Sequence, residues 1–460
     1  MSQAGLYYRT IRHLTPNQIW RLATKRLRPP LTSSGNGKRR PAPSLKPADR
    51  RHLLPEARRQ EHLAMLGANR FTFLNQTVDC SAGLPWEKES LPQLWKLHLH
   101  YFDYADASFS EPGELALLER LMAVARDWVA RNKLGQGTGW MPYAVSLRAV
   151  NWLKFLVRNP DHAAQPETAF MLESLWVQTD FLARNLEFEF GANHLLKNAK
   201  TLVFAGALLD APEADGWQAK GEEILGREIR RQILTDGGHY ERSPMYHLQV
   251  LEDLLDLQAL GRATACALSI SELLEERIAS MACFTRSILH PDGEIPLFND
   301  SALGSARPAR ELLTLAEAWP SRETVSAARA TVGASLDSPD LTLLADTGYA
   351  VIRDRPSNSC LIFDCGPLGP DSNPAHGHCD VLSYELSLFG HRVETDTGVS
   401  TYERGPERDY ERSTAALAGT VKAGIMAHAL TRSWCDACRN RLGDRPTLSV
   451  KWLVKEPTLP

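Results

Sequence analysis

ELALLERLMAVARDWVAR, residues 114–131, places apolar side chains at Leu115, Leu118, Leu121, Met122, Ala125, Trp128 and Val129. Steps of three and four residues collect them on one face of a helix with about 3.6 residues per turn. Segments of similar texture follow near 142–158, 166–185, 193–210, 217–234, 243–261, 271–289 and 308–319. Breaks such as Asn159-Pro160 and Asp236-Gly237-Gly238 separate them. Helices of similar length in series predict stacked helical hairpins, hence an α-solenoid or an α/α toroid.

After about residue 335 the texture changes. Leu341–Leu344, Tyr349–Arg353, Cys360–Asp364, Leu382–Leu388 and His391–Thr395 are short apolar or alternating runs broken by Gly, Pro, Asp and Asn. These runs predict antiparallel strands. The expected fold class is therefore multidomain α+β: a domain of helical hairpins at 90–335, then an antiparallel β domain at 336–460. The boundary falls near 320–338, and residues 1–89 read as a basic N-terminal arm and irregular lead-in. A sandwich needs more strands than these, so a truncated β domain is expected, with an atypical tail from 417.

Bulk properties narrow the function classes. A chain of 460 residues exceeds one ordinary core, and 43% apolar with 23% charged residues excludes wholesale disorder. The net charge is −3, yet residues 1–60 hold 14 Lys/Arg against 2 Asp/Glu. Such an arm suits nucleic acid, anionic lipid or an acidic polysaccharide; a solvated extension is the simpler reading, and no nucleic-acid partner is expected. No apolar run reaches membrane-span length. Arg9, Arg12 and His13 interrupt the N-terminus, so no secretion signal is visible and a cytoplasmic location is expected. Eight dispersed cysteines agree with a reducing compartment, and Cys435-Asp436-Ala437-Cys438 is a lone CxxC.

Three short motifs carry candidate chemistry. Asn193-His194 opens an apolar helix, where unpaired backbone N–H groups and the positive end of the helix dipole favour an anion. Taken without the downstream motifs, capping that helix is the simpler role for Asn193. Ser243-Pro244 reads as N-cap and first helical position, which puts Tyr246 and His247 in the first turn, beside Arg242. A catalytic Tyr246 needs a lowered pKa, which Arg242, an imidazolium or the helix dipole would supply. His376 and His378 share a face of an extended loop, and Asp396 follows a strand further on. Two imidazoles and a carboxylate are sensible zinc ligands.

Trp140, Tyr143, Arg148, Asn151 and Trp152 gather on one helix and the loop before it. Aromatic faces stack on sugars while Arg and Asn read carboxylates and hydroxyls; a core role for the aromatics is as good a reading. Glu187 and Glu189 sit in no distinctive glycosidase constellation, and neither a phosphate-binding glycine loop nor GxSxG occurs.

These segments resemble the heparinase II/III-like family of bacterial polysaccharide lyases. The resemblance rests on WMPYAVSLRAVNW (140–152), NHLLKNAKTLVFAG (193–206), DGGHYERSPMYH (236–247) and HGHCD (376–380), with ETDTG (394–398) and RSTAA (412–416) following. It covers about 90–416, and the arm at 1–30 resembles members found with exopolysaccharide gene clusters. It implies an α/α toroid with a β-sandwich domain, and β-elimination on a uronate-containing glycan, an acidic polysaccharide or oligosaccharide. By this resemblance Asn193 neutralises the uronate carboxylate and Tyr246 is the acid, and in a syn reaction also the base. His194 or His376 takes the C5 proton in an anti reaction. Arg242 and His247 join Trp140, Tyr143, Arg148 and Asn151 in binding substrate. No cofactor is required for the chemistry, and a periplasmic location is the family alternative. His378 and Asp396 match two ligands of a structural zinc in some members. After Ala416 the chain departs: Leu417-Ala418-Gly419 stands where the family has His-Asn-Thr, whose His is the third ligand. A non-catalytic glycan-binding or polysaccharide-assembly protein and an α/α-toroid glycoside hydrolase are the rival expectations.

Overall fold

The computed structural model describes residue 19 and residues 42–109, 111, 113–318, 341–370, 375–379, 383–413 and 415–416. Most of the basic arm, the 320–338 boundary, Leu382, the Cys435/Cys438 pair and the tail from 417 lie outside the described residues.

The helices of six residues or more are α1 (Arg59–Ala68), α2 (Gln93–Tyr101), α3 (Leu115–Arg131), α4 (Pro142–Arg158), α5 (Ala169–Arg184), α6 (Ala192–Leu208), α7 (Ala214–Gln232), α8 (Pro244–Ala263), α9 (Ser271–Ile288), α10 (Ala309–Glu317) and α11 (Pro406–Glu411). They form two layers. Inner helices α2, α4, α6, α8 and α10 each pack on the next, while α5, α7 and α9 lie behind them. Burial follows this order: every residue of α6 except His194 is buried, whereas α3 buries only one stripe, from Leu118 to Trp128. Leu115 and Val129, predicted on that stripe, are exposed because a single-sided helix covers only part of its apolar arc.

The lead-in is more ordered than the sequence suggested. It holds α1 and a hairpin of β2 (Arg70–Phe73) and β3 (Gln76–Asp79). Leu54, Leu66, Phe71 and Trp86 from this stretch enter the same core as α4 and α6. A two-residue strand β1 (Ser44–Leu45) also pairs with β4 (Leu209–Asp210) at the end of α6. Charge and proline content concealed these elements.

Strands β5 (Leu341–Leu344), β6 (Tyr349–Asp354), β7 (Ser359–Asp364), β8 (Tyr384–Leu388) and β9 (His391–Glu394) form one antiparallel sheet in that order. Cys283, Phe284 and Ile288 of α9 meet Leu344, Tyr349, Val351 and Ile362 in a second core. This seats the sheet against the helical layers, and its loops reach the N-terminal turn of α8.

Candidate active site

Tyr143, Asn193, His194 and Tyr246 all lie in the first turn of an inner helix. The inner layer thus delivers them to one rim: the rings of Tyr143 and His194 are 4.4 Å apart. Gly191, with φ of 61°, is the N-cap residue of α6, so the expected alternative that Asn193 caps this helix is not what is found. Asn193 is 1% exposed, and neither its amide oxygen nor its amide nitrogen has a hydrogen-bond partner. A buried amide left unpaired costs about 1–3 kcal/mol, so the position is suited to a ligand rather than to stability.

His194 is the half-exposed member. Its Nδ1 lies 3.3 Å from Glu187 Oε1, and Glu187 is held from behind by Asn198 Nδ2 at 3.1 Å. Glu187 belonged to no constellation in sequence terms, yet it orients this imidazole. It sits seven residues before His194, in a loop whose course no local pattern reveals.

At α8 the predicted cap is present: Ser243 Oγ accepts from the Tyr246 backbone N–H at 3.3 Å, with Pro244 in the first turn. The Tyr246 ring lies 4.2 Å from that of His376, and its hydroxyl 3.0 Å from the hydroxyl of Tyr402. Burial, then the neighbouring Tyr402, raises the Tyr246 phenol well above its ordinary pKa. The anticipated lowering by Arg242 does not occur, because that guanidinium donates to the carbonyls of Thr347, Tyr240 and Asp346. Arg242 thereby fastens the start of α8 to the sheet.

His376 stands between two carboxylates. Its Nδ1 is 2.9 Å from Asp300 Oδ2, and its Nε2 is 3.6 Å from Glu241 Oε1. Burial alone would lower its pKa, but the hydrogen bond to Asp300 and the charges of Glu241 and Asp300 outweigh it, so the net shift is upward. Glu241 is itself raised, by burial first, while His376, His194 and the Asn193 backbone oppose that shift. This buried carboxyl therefore joins the Asn193 end of the rim to the His376 end. Gly377 lets the loop pass, since a Cβ there would collide with the Leu368 carbonyl oxygen. Glu241, Asp300 and Tyr402 are site residues that the sequence does not single out: Glu241 sits in the loop before α8, and the other two come from distant loops.

Several expected substrate contacts are structural. Arg148 is fully buried, donating to Gln178 Oε1 (2.9 Å) and the His100 carbonyl (3.1 Å), with its guanidinium 3.7 Å from the Trp128 ring centre. Trp140 is packed edge-on against Phe181 and donates to the Asn132 carbonyl at 3.1 Å. His247 is buried with Nε2 2.9 Å from Thr285 Oγ1, and burial pushes its pKa down to about 3. All three face the core. Tyr143 and Asn151 instead line a cavity of about 500 Å³ together with Lys154, Lys197 and Lys200; Asn193, His194, Tyr246 and His376 are not among its lining residues.

The zinc expectation fits poorly. His378 Nε2 is 2.8 Å from Asp300 Oδ1, while Asp396 accepts from Ser383 and the Gly398 backbone N–H. Among the described residues no group of three or more His, Cys, Asp and Glu is arranged to hold a metal ion.

Comparison with known proteins decides the family. The heparinase II/III N-terminus model matches residues 70–326, and the heparinase II/III-like C-terminal model matches 337–419. The chain belongs to the heparinase II/III-like family. Within it, a heparin-sulfate lyase of Bacteroides thetaiotaomicron is 25% identical over 71% of this chain and 51% of its own length. One from Pedobacter heparinus is 23% identical over 69% of this chain and 49% of its own length. The chain thus spans about half the length of these heparinase relatives. FtsZ-localized protein C of Caulobacter vibrioides is 24% identical over 64% of this chain and 52% of its own length. Crystalline heparinase III has the same fold, with a TM-score of 0.63 at 21% identity over 86% of this chain and 65% of that one. Among the described residues no helix is long and apolar enough to cross a membrane.

Proposed function

We propose that this heparinase-family chain cleaves a uronate-containing polysaccharide by β-elimination. The observation that carries the reading is the buried, wholly unpartnered amide of Asn193 beside the Tyr246, His376 and His194 cluster. In the reaction, the proton on C5 leaves for a base and the C4–O bond breaks. The departing oxygen takes the electron pair and a proton, leaving a C4–C5 double bond. Charge develops on the uronate carboxylate, where the Asn193 N–H would hydrogen-bond it most strongly in the transition state. Tyr246, held as a protonated phenol, is suited to protonate the leaving oxygen. His194 or His376 accepts the C5 proton in an anti reaction. No cofactor enters these steps.

An acidic bacterial exopolysaccharide is the substrate class we propose, with heparan sulfate as the comparison. The test is incubation of the full chain with a panel of uronate glycans, following ultraviolet absorbance of the unsaturated end. Chain shortening without that absorbance would instead identify a hydrolase. A second reading, glycan binding without turnover, is favoured by the likeness to FtsZ-localized protein C, a relative named for localisation rather than cleavage. Binding with no change in chain length would support it.

A further inference from the structure

Asp300 lies in the loop after α9, is 0% exposed, and touches the His376 loop, the N-cap residue of α8 and α11. Its Oδ2 is 2.9 Å from His376 Nδ1 and accepts from Arg408 Nη2 at 2.7 Å. Its Oδ1 is 2.8 Å from His378 Nε2 and 2.6 Å from Arg408 Nη1. The backbone joins in: Asp300 N–H donates to the His376 carbonyl at 3.1 Å, and its own carbonyl accepts from Ser243 Oγ at 2.8 Å. Ser243 caps the helix that carries Tyr246, and the Arg408 guanidinium lies 5.1 Å from the centre of the Tyr402 ring. One residue thus connects the His376 loop and α11 through its side chain and the start of α8 through its backbone carbonyl.

An ionised carboxylate only accepts hydrogen bonds. The permanently charged Arg408, with a guanidinium nitrogen 2.7 Å from one carboxylate oxygen and another 2.6 Å from the other, holds Asp300 ionised, so each imidazole nitrogen facing it must carry the proton. This dictates opposite tautomers two residues apart: Nδ1–H for His376 and Nε2–H for His378. His376 is then left with Nε2, on the Glu241 side, as its only atom able to exchange a proton with a ligand. We propose that Asp300 is the positioning residue of the reaction, fixing the His376 tautomer and, through Arg408, the Tyr402 ring against Tyr246. The inference rests on the lyase reading for its catalytic consequence but not for the tautomers.

The full chain labelled with imidazole-¹⁵N histidine reports this directly. Long-range proton–nitrogen correlation at alkaline pH, with His376→Gln and His378→Gln used to assign the signals, distinguishes the two tautomers. We expect Nδ1–H for His376 and Nε2–H for His378 in the wild-type protein. Asp300→Asn should release the His376 preference and lower kcat by about 100-fold or more, with KM little changed. Asp300→Glu, which keeps the acceptor, should recover part of kcat. An Nε2–H signal for His376 in the wild type overturns the proposal, and so does an Asp300→Asn protein with wild-type kcat. The wild-type spectrum decides the matter even where a variant fails to fold. A wild-type chain that yields no unsaturated product counts against the lyase reading, whereas a wrong tautomer counts against Asp300 alone.

Discussion

The hydroxyl oxygens of Tyr246 and Tyr402 lie 3.0 Å apart, although 155 residues separate the two side chains in sequence. One comes from the first turn of an inner helix and the other from the loop before α11. Each phenol is raised by burial first, and Asp300 adds to both shifts. A proton shared between two such phenols stays available to a leaving oxygen, because neither ring ionises readily.

Tyr246→Phe should therefore abolish elimination while sparing binding, since only one hydroxyl is removed. A general acid contributes about 100- to 10,000-fold. Tyr402→Phe removes only the partner hydroxyl and should have the smaller effect. Steady-state rates with the best uronate substrate check this. Substantial activity in the Tyr246 variant, or a greater loss in the Tyr402 variant, would contradict the assignment.

Asn193→Ala should lower turnover without lowering stability. The side chain caps nothing and its buried amide is unpaired, so its removal relieves a desolvation cost rather than breaking a bond. A capping Asn would instead lose about 1 kcal/mol. Melting temperature and rate measured on one preparation separate the cases: an unchanged or raised melting temperature with a depressed rate is the expected pair.

Helices and strands were legible because their signals are local. The runs at 142–158 and 271–289 match α4 and α9 within one residue, and Leu341–Leu344 matches β5. Ser243-Pro244 foretold the geometry around Tyr246 for the same reason. The direction of a side chain is decided by tertiary packing, and there the reading failed. Arg148 looked like a carboxylate reader because its chemistry allows it, yet it faces His100 and Gln178 inside the inner layer. Asp300, in Phe298-Asn299-Asp300, carries no local pattern at all. Its importance comes from a meeting with His376, 76 residues on, and Arg408, 108 residues on.

The interior below the rim holds a chain of ion pairs whose loss should destabilise the whole helical layer. Lys154 Nζ is 2.7 Å from Asp256, Lys200 bridges Asp256 and Asp253, and Lys197 is 2.7 Å from Asp253. All are buried. Asp256→Asn leaves Lys154 and Lys200 facing a neutral amide, with Asp106 at 3.7 Å from Lys154 and Asp253 at 2.9 Å from Lys200 as their remaining carboxylates. Breaking a buried pair from one side costs about 3–5 kcal/mol. Denaturant titration should show a fall of that order. A change under 1 kcal/mol, on the scale of a surface pair, would mean that water reaches the network.

Activity and stability should respond to pH in opposite directions at His376. Its folded pKa is raised because Asp300 and Glu241 outweigh burial. A group raised on folding stabilises the native state fully below its unfolded value, about 6.5 for histidine, and that contribution fades as pH rises through the folded value. If His376 accepts the C5 proton, it must first be neutral, so kcat/KM should climb across the same interval. The acid limb of the rate profile is then expected above about 6.5. The melting-temperature advantage of wild type over His376→Gln should shrink over the same pH range. A rate profile whose acid limb lies well below 6.5 would remove His376 as the base and leave His194 in that role.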